Sequence, residues 1–372
     1  MKKLALHRFR VRLFQKLLGL ASVLQNIPAK TTPPPFRLMQ IGSLFWQSRV
    51  LYVATRLGLA DVIGDVSKSA QQIANELALN EDYLYRLLRM MGSMGIFEEA
   101  SPRVFQNNLT SDYLRQDNPK NVRAMILMHN SPEMSRPWFK DLEESLRDGE
   151  MPFAKVHGTD LFSYMDQHKD FDLLFSQAMD AVDSLTGSDY LEDFNWAAFE
   201  RIIDVGGSKG AKSISILKLF PKLRSVVFDR AQIIEVARTS WHGQVADEIL
   251  DRIEYLSGDM FESLPTAQSD NDLYVFFAIF HGMSDEESKT VLANLKTAMG
   301  SFKPHMLIVD TVAEAMNINP TVAAFDMQML IGTHGRERTL GEWRQLLATS
   351  GFEIAEIIDV RTFARFIVAR PV

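Results

Sequence analysis

The segment RIIDVGGSKGAKSISILKLF, residues 201–220, decides the fold of this chain. It runs from a short apolar stretch into a glycine-rich turn and then into a helical pattern, which predicts a strand, a turn and a helix in succession. In such an arrangement a ligand meets the backbone amides at the start of the helix, and Gly206 and Gly210 let the backbone approach it without a Cβ atom in the way. The spacing differs from the G-x-G-x-x-G dinucleotide fingerprint, in which the third glycine lies one residue further along. The glycine spacing therefore does not favour an NAD-dependent dehydrogenase.

The rest of the C-terminal half repeats this rhythm of apolar run and helical pattern. The runs are SVVFDR (225–230), IEYLSGD (253–259), DLYVFFAIF (272–280) and MLIVDTV (306–312). Strands buried on both faces and alternating with helices predict an α/β fold with a doubly wound, Rossmann-like parallel sheet. The closing stretches, IAEIIDVRT (354–362) and FARFIVARPV (363–372), predict a strand pair.

The N-terminal part has a different organisation. TTPPPF (31–36) predicts a stiff linker, and the helical patterns that follow it end in two short strand-like runs, IFEEA (96–100) and RVFQN (103–107). Ser69 and Asn80 are expected to cap two of these helices. Helices followed by a two-stranded wing predict a winged-helix-like domain. Its third helix offers only Arg86 and Arg89 as cations, which favours packing or dimerisation over DNA binding.

Four segments follow from these patterns. Residues 1–35 form a basic extension with its linker, 36–115 the winged-helix-like domain, 116–200 a helical connector and 201–372 the α/β domain.

Charge and composition limit the class of protein. The 372 residues carry a formal net charge of -7, which argues against a general nucleic-acid partner. Ten of the 40 basic residues nevertheless lie in the first 60 positions, where there is no acid. The chain has no cysteine, which excludes disulfides, zinc thiolate sites and a cysteine nucleophile, and we predict no metal ligands.

The basic extension interrupts each of its apolar runs with arginine or lysine, so we do not expect a secretory signal and predict a cytoplasmic protein. Leu13, Leu17, Leu20 and Leu24 share one side of an amphipathic helix. We expect residues 1–30 to pack on protein or stay disordered, with weak peripheral membrane contact as the alternative.

Acidic residues follow three successive predicted strands. Asp204 precedes the glycine turn, Asp229 ends the second strand, and Asp259 with Met260 follows the third. A carboxylate at the second position can accept both hydroxyls of a ribose. A carboxylate at the third can accept an adenine amino group, with the methionine against the ring. The set predicts a pocket for an adenosine without phosphates.

At this point the sequence resembles the S-adenosylmethionine-dependent O-methyltransferases of small molecules, of the plant caffeate and acetylserotonin type and the bacterial polyketide and phenazine tailoring type. The likeness covers about residues 38–370 and also rests on GLADVI (58–63), YLYRLLRMMGSMGIF (83–97), GDMFESLP (258–265), FHGMSDEES (280–288) and GRERTLGEWRQLLATSGF (335–352). The resemblance implies a homodimer through residues 36–115 and S-adenosyl-L-methionine as cofactor. The residues implied to bind it, with those that the turn itself suggests, are Asp204, Gly206, Gly207, Ser208, Gly210, Asp229, Asp259 and Met260.

His281 is the candidate general base, because it follows the fourth strand of the sheet, at the edge where such sheets bind ligands, and because histidine titrates near neutral pH. The family position is the same. The resemblance places Asp310 and Glu337 beside the base, where a carboxylate would fix the tautomer of the ring. Glu337 alternatively belongs to the start of the next helix.

The acceptor side departs from the family pattern. Leucine, histidine, aspartate and tryptophan are usual around the base, whereas this chain has FHGM at 280–283, and Phe277 and Val182 replace a usual lysine and histidine. On the cofactor side, Ser208 replaces a usual glycine in the turn. The candidate acceptor contacts in a small-molecule pocket are Met128, Asn130, Met179, Phe280 and Met327. Methylation of a hydroxyl is the first prediction. S-methylation of a thioether or thiol without a strong base, and loss of methyl transfer with the cofactor retained, are the alternatives.

Overall fold

The computed structural model describes residues 9–14, 16–17, 20, 31–362 and 364–372. The chain divides into two compact units, Leu20–Gly187 and Ser188–Val372 together with Met1–Gly19. Of the predicted N-terminal amphipathic helix, residues 9–14 are helical, and Leu13, Leu17 and Leu20 are exposed. The remainder, including Leu24, lies outside the described residues. In the described ranges, no helix combines the length and apolar character needed to cross a bilayer.

The first unit begins with helices and a small sheet. Its elements are α1 (Pro34–Arg56), α2 (Leu59–Ile63), β1 (Lys68–Ser69), α3 (Ala70–Glu76), α4 (Glu81–Ser93), β2 (Phe97–Ser101) and β3 (Val104–Asn107). The Ser69 side chain accepts from the backbone N–H of Gln72 in a capping box, and Asn80 accepts from that of Tyr83. The antiparallel sheet has the order β1-β3-β2. The predicted caps and wing are thus confirmed.

Six further helices complete this unit. They are α5 (Arg123–His129), α6 (Pro132–Lys140), α7 (Leu142–Asp148), α8 (Pro152–His157), α9 (Leu161–Gln167) and α10 (Lys169–Thr186), after a 3₁₀ turn at Ser111–Leu114. One cluster of apolar side chains forms the core of α1 to β3, and a second, rich in methionine and phenylalanine, lies among α5 to α10.

The second unit is the α/β domain. Its strands are β4 (Arg201–Val205), β5 (Arg224–Asp229), β6 (Ile253–Ser257), β7 (Asp272–Phe277), β8 (His305–Asp310), β9 (Phe352–Asp359) and β10 (Arg365–Pro371). Its helices are α11 (Ala211–Leu219), α12 (Ala231–Ser240), α13 (Asp247–Leu250), α14 (Asp285–Met299), α15 (Pro320–Gly332) and α16 (Leu340–Thr349). Short 3₁₀ turns lie at Asp189–Asp193, Trp196–Ala198 and Phe280–Gly282.

The sheet has the strand order β6-β5-β4-β7-β8-β10-β9. The first five strands are parallel, and the closing pair runs antiparallel. Alternate residues of the central strands enter two separate cores, so that Ile203 packs on one face of the sheet and Ile202 on the other. The chain order reverses between β4 and β7, and a ligand crevice is expected at the carboxyl ends of these two strands.

Candidate active site

The glycine-rich turn lies at this reversal, directly after β4. Gly206 has φ +71°, and a Cβ atom built on it would lie 2.4 Å from Ile279 Cδ1 and 3.5 Å from Met260 Cε. The left-handed backbone conformation favours glycine there, and a larger residue would also force the end of the Ile279 side chain to move. The contact also brings together three segments that are distant in sequence: the turn, the residue after Asp259, and the turn that carries His281.

Ser208 occupies the left-handed region with φ +52°, where glycine is the usual residue. Its backbone N–H donates to Asp229 Oδ2 over 2.8 Å, and the other oxygen of Asp229 accepts from the N–H of Arg230. Burial raises the pKa of Asp229, while these two backbone hydrogen bonds and the charge of Arg230 oppose the shift. Gly210 ends the turn and is the residue before α11.

Asp204 lies beneath the turn and not on its surface. It is 1% exposed, and Oδ2 accepts from the hydroxyl of Ser213, which in turn accepts from that of Ser225. Its carboxyl carbon would be 2.7 Å from a Cβ atom on Gly207. Asp204 therefore supports the shape of the turn from below.

Asp259 and Met260 follow β6 as expected. The Asp259 side chain is exposed and accepts from the N–H of Phe261, and the carbonyl of Met260 accepts from Asn294 on α14. The exposed carboxylate and the thioether beside Gly206 are at the same edge of the sheet as Asp229.

His281 is presented by a turn and not by the strand itself. The apolar run predicted a strand as far as Phe280, but β7 ends at Phe277, because Ala278 adopts φ +52° and breaks the extended conformation. Residues 280–282 then form a 3₁₀ turn. His281 lies in this turn, with a quarter of its side chain exposed.

Three titratable groups meet at this turn. His281 Nδ1 lies 3.0 Å from Glu337 Oε1, and Asp310, at the end of β8, is 2% exposed. Burial acts to lower the pKa of His281, but the hydrogen bond from the ring to Glu337 and the charges of Asp310 and Glu337 outweigh it and raise this pKa. The structure thus brings together the candidate base and the two candidate acids suggested by the sequence.

Asp310 is in a protonation-sensitive position. Burial raises its pKa to about 7, with the charge of Glu337 adding to the effect and that of His281 opposing it. In the part of the chain that is described, no donor reaches either oxygen of Asp310 with hydrogen-bond geometry. The charge of Arg338 and the backbone N–H of Phe280 act to lower this pKa, but the cost of burying the carboxylate outweighs them and favours the protonated form.

Helix α15 and the loop that follows it supply residues that the sequence analysis did not single out. Asp326 accepts from the backbone N–H of Glu337, and Arg338 donates to the carbonyls of Phe280 and Met283. A Cβ atom on Gly335 would lie 1.9 Å from the carbonyl oxygen of His281. The sequence GRERT (335–339) does not indicate which of its charged side chains is buried. Gly335, two residues before the candidate acid Glu337, was the one signal of a close backbone contact there.

A second missed residue is Trp241, just after α12. Its indole N–H donates to the carbonyl of Lys209, within the glycine-rich turn, over 2.7 Å. The hydroxyl of Tyr255 lies 3.5 Å from the same oxygen.

The predicted acceptor contacts are divided between the two units. Phe280 is fully buried and packs against Phe276 and Trp343, so its side chain belongs to the core instead of a ligand surface. Met327, on α15, is partly buried.

The other three candidates lie in the helical unit. Met128 is 3% exposed and is a core residue. Asn130 uses its side chain locally, accepting from Ser48 on α1 and donating to the carbonyl of Ile126. Met179, on α10, is 39% exposed.

Comparison with known proteins assigns the family. Residues 139–353 match the model of the O-methyltransferase domain, and residues 39–117 match that of the O-methyltransferase dimerisation domain. The chain belongs to the O-methyltransferase family, whose members use S-adenosylmethionine as methyl donor; methyltransferases of this fold have been solved with that cofactor or its product S-adenosylhomocysteine.

Individual relatives agree with this assignment. The chain is 28% identical to the phenazine O-methyltransferase PhzM of Lysobacter antibioticus, over 94% of this chain and 99% of that protein. It is 30% identical to the phenazine-1-carboxylate N-methyltransferase of Pseudomonas aeruginosa, over 89% and 96%. The crystal structure of LaPhzM superposes with a TM-score of 0.83 at 28% identity, covering 92% of this chain and all of that one. The protein is an S-adenosylmethionine-dependent methyltransferase of the small-molecule type.

Proposed function

We propose that this methyltransferase transfers a methyl group to a hydroxyl oxygen of a small molecule, with His281 as the general base. The observation that carries the proposal is the position of His281 beside the buried carboxyl groups of Glu337 and Asp310. The preceding residue but one, Ile279, packs against Gly206 of the glycine-rich turn. A base is thereby held next to the part of the sheet edge that suits the cofactor.

The residues at the sheet edge fit an adenosine without phosphates. Asp229 is positioned to accept from ribose hydroxyls, because each of its oxygens can take a further hydrogen bond beyond the backbone donor it now has. The exposed carboxylate of Asp259 suits an amino group, and Met260 offers an apolar surface. Gly206, Gly207, Ser208 and Gly210 allow close approach to the backbone, while Asp204 acts on their conformation from below.

S-adenosylmethionine supplies an electrophilic methyl carbon on a sulfonium. This chain has to orient the acceptor and take up its proton as the carbon–oxygen bond forms and the carbon–sulfur bond breaks. With the Nδ1–H of His281 donated to Glu337 Oε1, Nε2 carries the lone pair that removes the proton. The negative charge of Glu337 then stabilises the imidazolium that results.

Nitrogen is a second candidate for the atom of the acceptor that receives the methyl group. A relative that is 30% identical is named for N-methylation of phenazine-1-carboxylate. An aromatic nitrogen has no proton to lose, so transfer to it by positioning alone makes no demand on His281. Transfer to the sulfur of a thioether has the same property. Met179 and Met327 are the predicted acceptor contacts that remain, because Met128 and Phe280 are core residues and the side chain of Asn130 is engaged in local hydrogen bonds.

Incubation with methyl-labelled S-adenosylmethionine and parallel panels of phenols, aromatic nitrogen heterocycles and thioethers tests the proposal. We expect a labelled product from the phenol panel, detected by mass spectrometry as one added methylene. Transfer confined to nitrogen or sulfur would overturn hydroxyl methylation, and cofactor binding without transfer to any panel would overturn the enzymatic role of the site.

A further inference from the structure

Arg338 is a fully buried cation directed at the turn that carries His281. Its guanidinium donates to the carbonyl of Phe280 and to that of Met283, each over 2.7 Å. These two carbonyls lie on either side of His281 in sequence. The guanidinium of Arg338 therefore forms hydrogen bonds to both ends of the turn, because its planar arrangement of donors can reach two acceptors at once.

The remaining contacts show how the buried charge is tolerated. Nε donates to Asp285 Oδ1 over 3.0 Å, a second donor reaches the hydroxyl of Ser288, and the guanidinium carbon lies 5.3 Å from the ring of Trp343. Burying a cation costs several kcal/mol unless it is well paired. Here the paired carboxylate, Asp285, is itself only partly buried. The ion pair with Asp285 alone therefore does not explain why the side chain of Arg338 is fully buried.

The turn itself needs external support. It starts after Ala278, whose φ of +52° is unfavourable for a residue with a Cβ atom and persists only where the surroundings enforce it. The same loop that carries Arg338 also brings Gly335 against the carbonyl of His281 and Glu337 against its ring. Ring and backbone of His281 are therefore held by successive residues of one loop.

We infer that Arg338 is a positioning residue for the general base: by clamping the carbonyls of Phe280 and Met283 it fixes the direction in which the His281 imidazole points. The inference rests on the proposed role of His281. Arg338 touches neither cofactor nor acceptor, and its effect passes through the backbone of the turn and the hydrogen bond between His281 and Glu337.

The test compares Arg338→Lys with Arg336→Lys in the full-length protein. Lysine keeps the charge but offers a single ammonium in place of the two-pronged clamp. Arg336 lies two residues away on the same loop and also pairs with Asp285, but it is half exposed and bonds to neither of the two turn carbonyls. We measure kcat, the KM for S-adenosylmethionine, and the pKa of His281 by NMR titration, with the His281 signal assigned by its loss in His281→Gln.

For Arg338→Lys we expect kcat to fall about 10- to 100-fold with the KM for S-adenosylmethionine unchanged, as misplacement of a reacting group predicts. The pKa of His281 should fall, because its hydrogen bond to Glu337 becomes less well aligned. Arg336→Lys should change neither. A variant that loses stability but keeps kcat within about twofold and leaves the His281 titration unchanged would overturn the inference, since Arg338 would then be only structural.

If Arg338→Lys does not fold, Asp285→Asn replaces it, because it weakens the hold on the guanidinium and leaves both carbonyl contacts available. A smaller decrease of kcat and of the His281 pKa is expected, and no change in either contradicts the inference. The NMR titration separates this inference from the proposed function: a His281 pKa that responds to Arg338 in a protein whose turnover ignores His281 would refute the base and not the clamp.

Discussion

At the scale of single residues, the chemistry depends on the protonation of His281, which lies beside two buried carboxyl groups, Glu337 and Asp310. Burial acts to lower the pKa of His281, but the hydrogen bond to Glu337 and the charge of that carboxylate outweigh it and raise this pKa, and Asp310 adds to the rise only where it is ionised. A base is active only when unprotonated, so the rate is expected to rise with pH through a midpoint above the ordinary histidine value of about 6.5.

Glu337→Gln tests this electrostatic coupling. Removing the negative charge while keeping the shape lowers the pKa of His281, so the acidic limb of the kcat/KM profile should move to lower pH. The plateau should also fall, by about 10-fold or more, because the imidazolium loses its partner. Steady-state rates from pH 5 to pH 9 measure both effects, with Glu286→Gln, an exposed acid at the start of α14, as control. An unshifted limb would contradict the coupling.

Asp310→Asn tests the buried carboxyl. With its pKa raised to about 7 by burial, the folded protein keeps a proton that the unfolded chain releases near pH 3.9. The native state then binds more protons than the unfolded state between these values, so this group makes stability fall as pH rises through that window. Asparagine does not titrate. Chemical denaturation at pH 5 and pH 8 measures the free energy of unfolding of both proteins. We expect the variant to become more stable relative to the wild type at pH 8 than at pH 5. The same difference in unfolding free energy at both pH values would refute a neutral Asp310.

At the scale of elements, the site consists of two turns in contact and the supports around them. The glycine-rich turn is held by Asp229 through the N–H of Ser208 and by Trp241 through the carbonyl of Lys209. The His281 turn is held by the loop from Gly335 to Arg338. Gly206 against Ile279 is the point at which the two turns meet.

Trp241→Phe keeps the ring and removes the indole donor. Loss of one such hydrogen bond costs about 1 kcal/mol, so S-adenosylmethionine should bind about five-fold more weakly. Titration calorimetry measures it. Tyr255→Phe, whose hydroxyl is 3.5 Å from the same oxygen, should have a smaller effect. Equal affinities in all three proteins would show that the indole does not hold the turn in its binding conformation.

The sequence predicted the elements better than the contacts that fix their ends. Short, continuous apolar runs identified the strands, and short polar side chains identified the caps at Ser69 and Asn80, because these signals are local. The end of β7 at Phe277 was missed, because Ala278 is not a residue that marks a left-handed conformation and the apolar run continues through Phe280. Arg338 donates to the carbonyl of Met283, 55 positions away, and Trp241 to that of Lys209, 32 positions away. A local sequence pattern cannot predict contacts over such separations.

At the scale of the whole molecule, the dimerisation domain predicts a homodimer. Much of the surface of α1 is apolar and exposed: Phe36, Leu38, Met39, Ile41, Leu44, Phe45 and Trp46. Monomeric proteins seldom leave so many large apolar side chains of one helix exposed. Light scattering at micromolar concentration should give a molar mass twice the 42.2 kDa of one chain. The double variant Leu44→Glu, Trp46→Glu should give a lower molar mass, because it places charges on this apolar surface. A wild-type protein that scatters as a single chain would contradict the dimer.

The central claim is that His281 removes a proton during methyl transfer. The most direct measurement is single-turnover transfer from labelled S-adenosylmethionine to a phenolic acceptor by His281→Ala, with cofactor affinity measured on the same sample. We expect a loss of about 10²- to 10⁴-fold in the rate of transfer, with the affinity for S-adenosylmethionine within about threefold of wild type. Transfer to the phenol at the wild-type rate would contradict it.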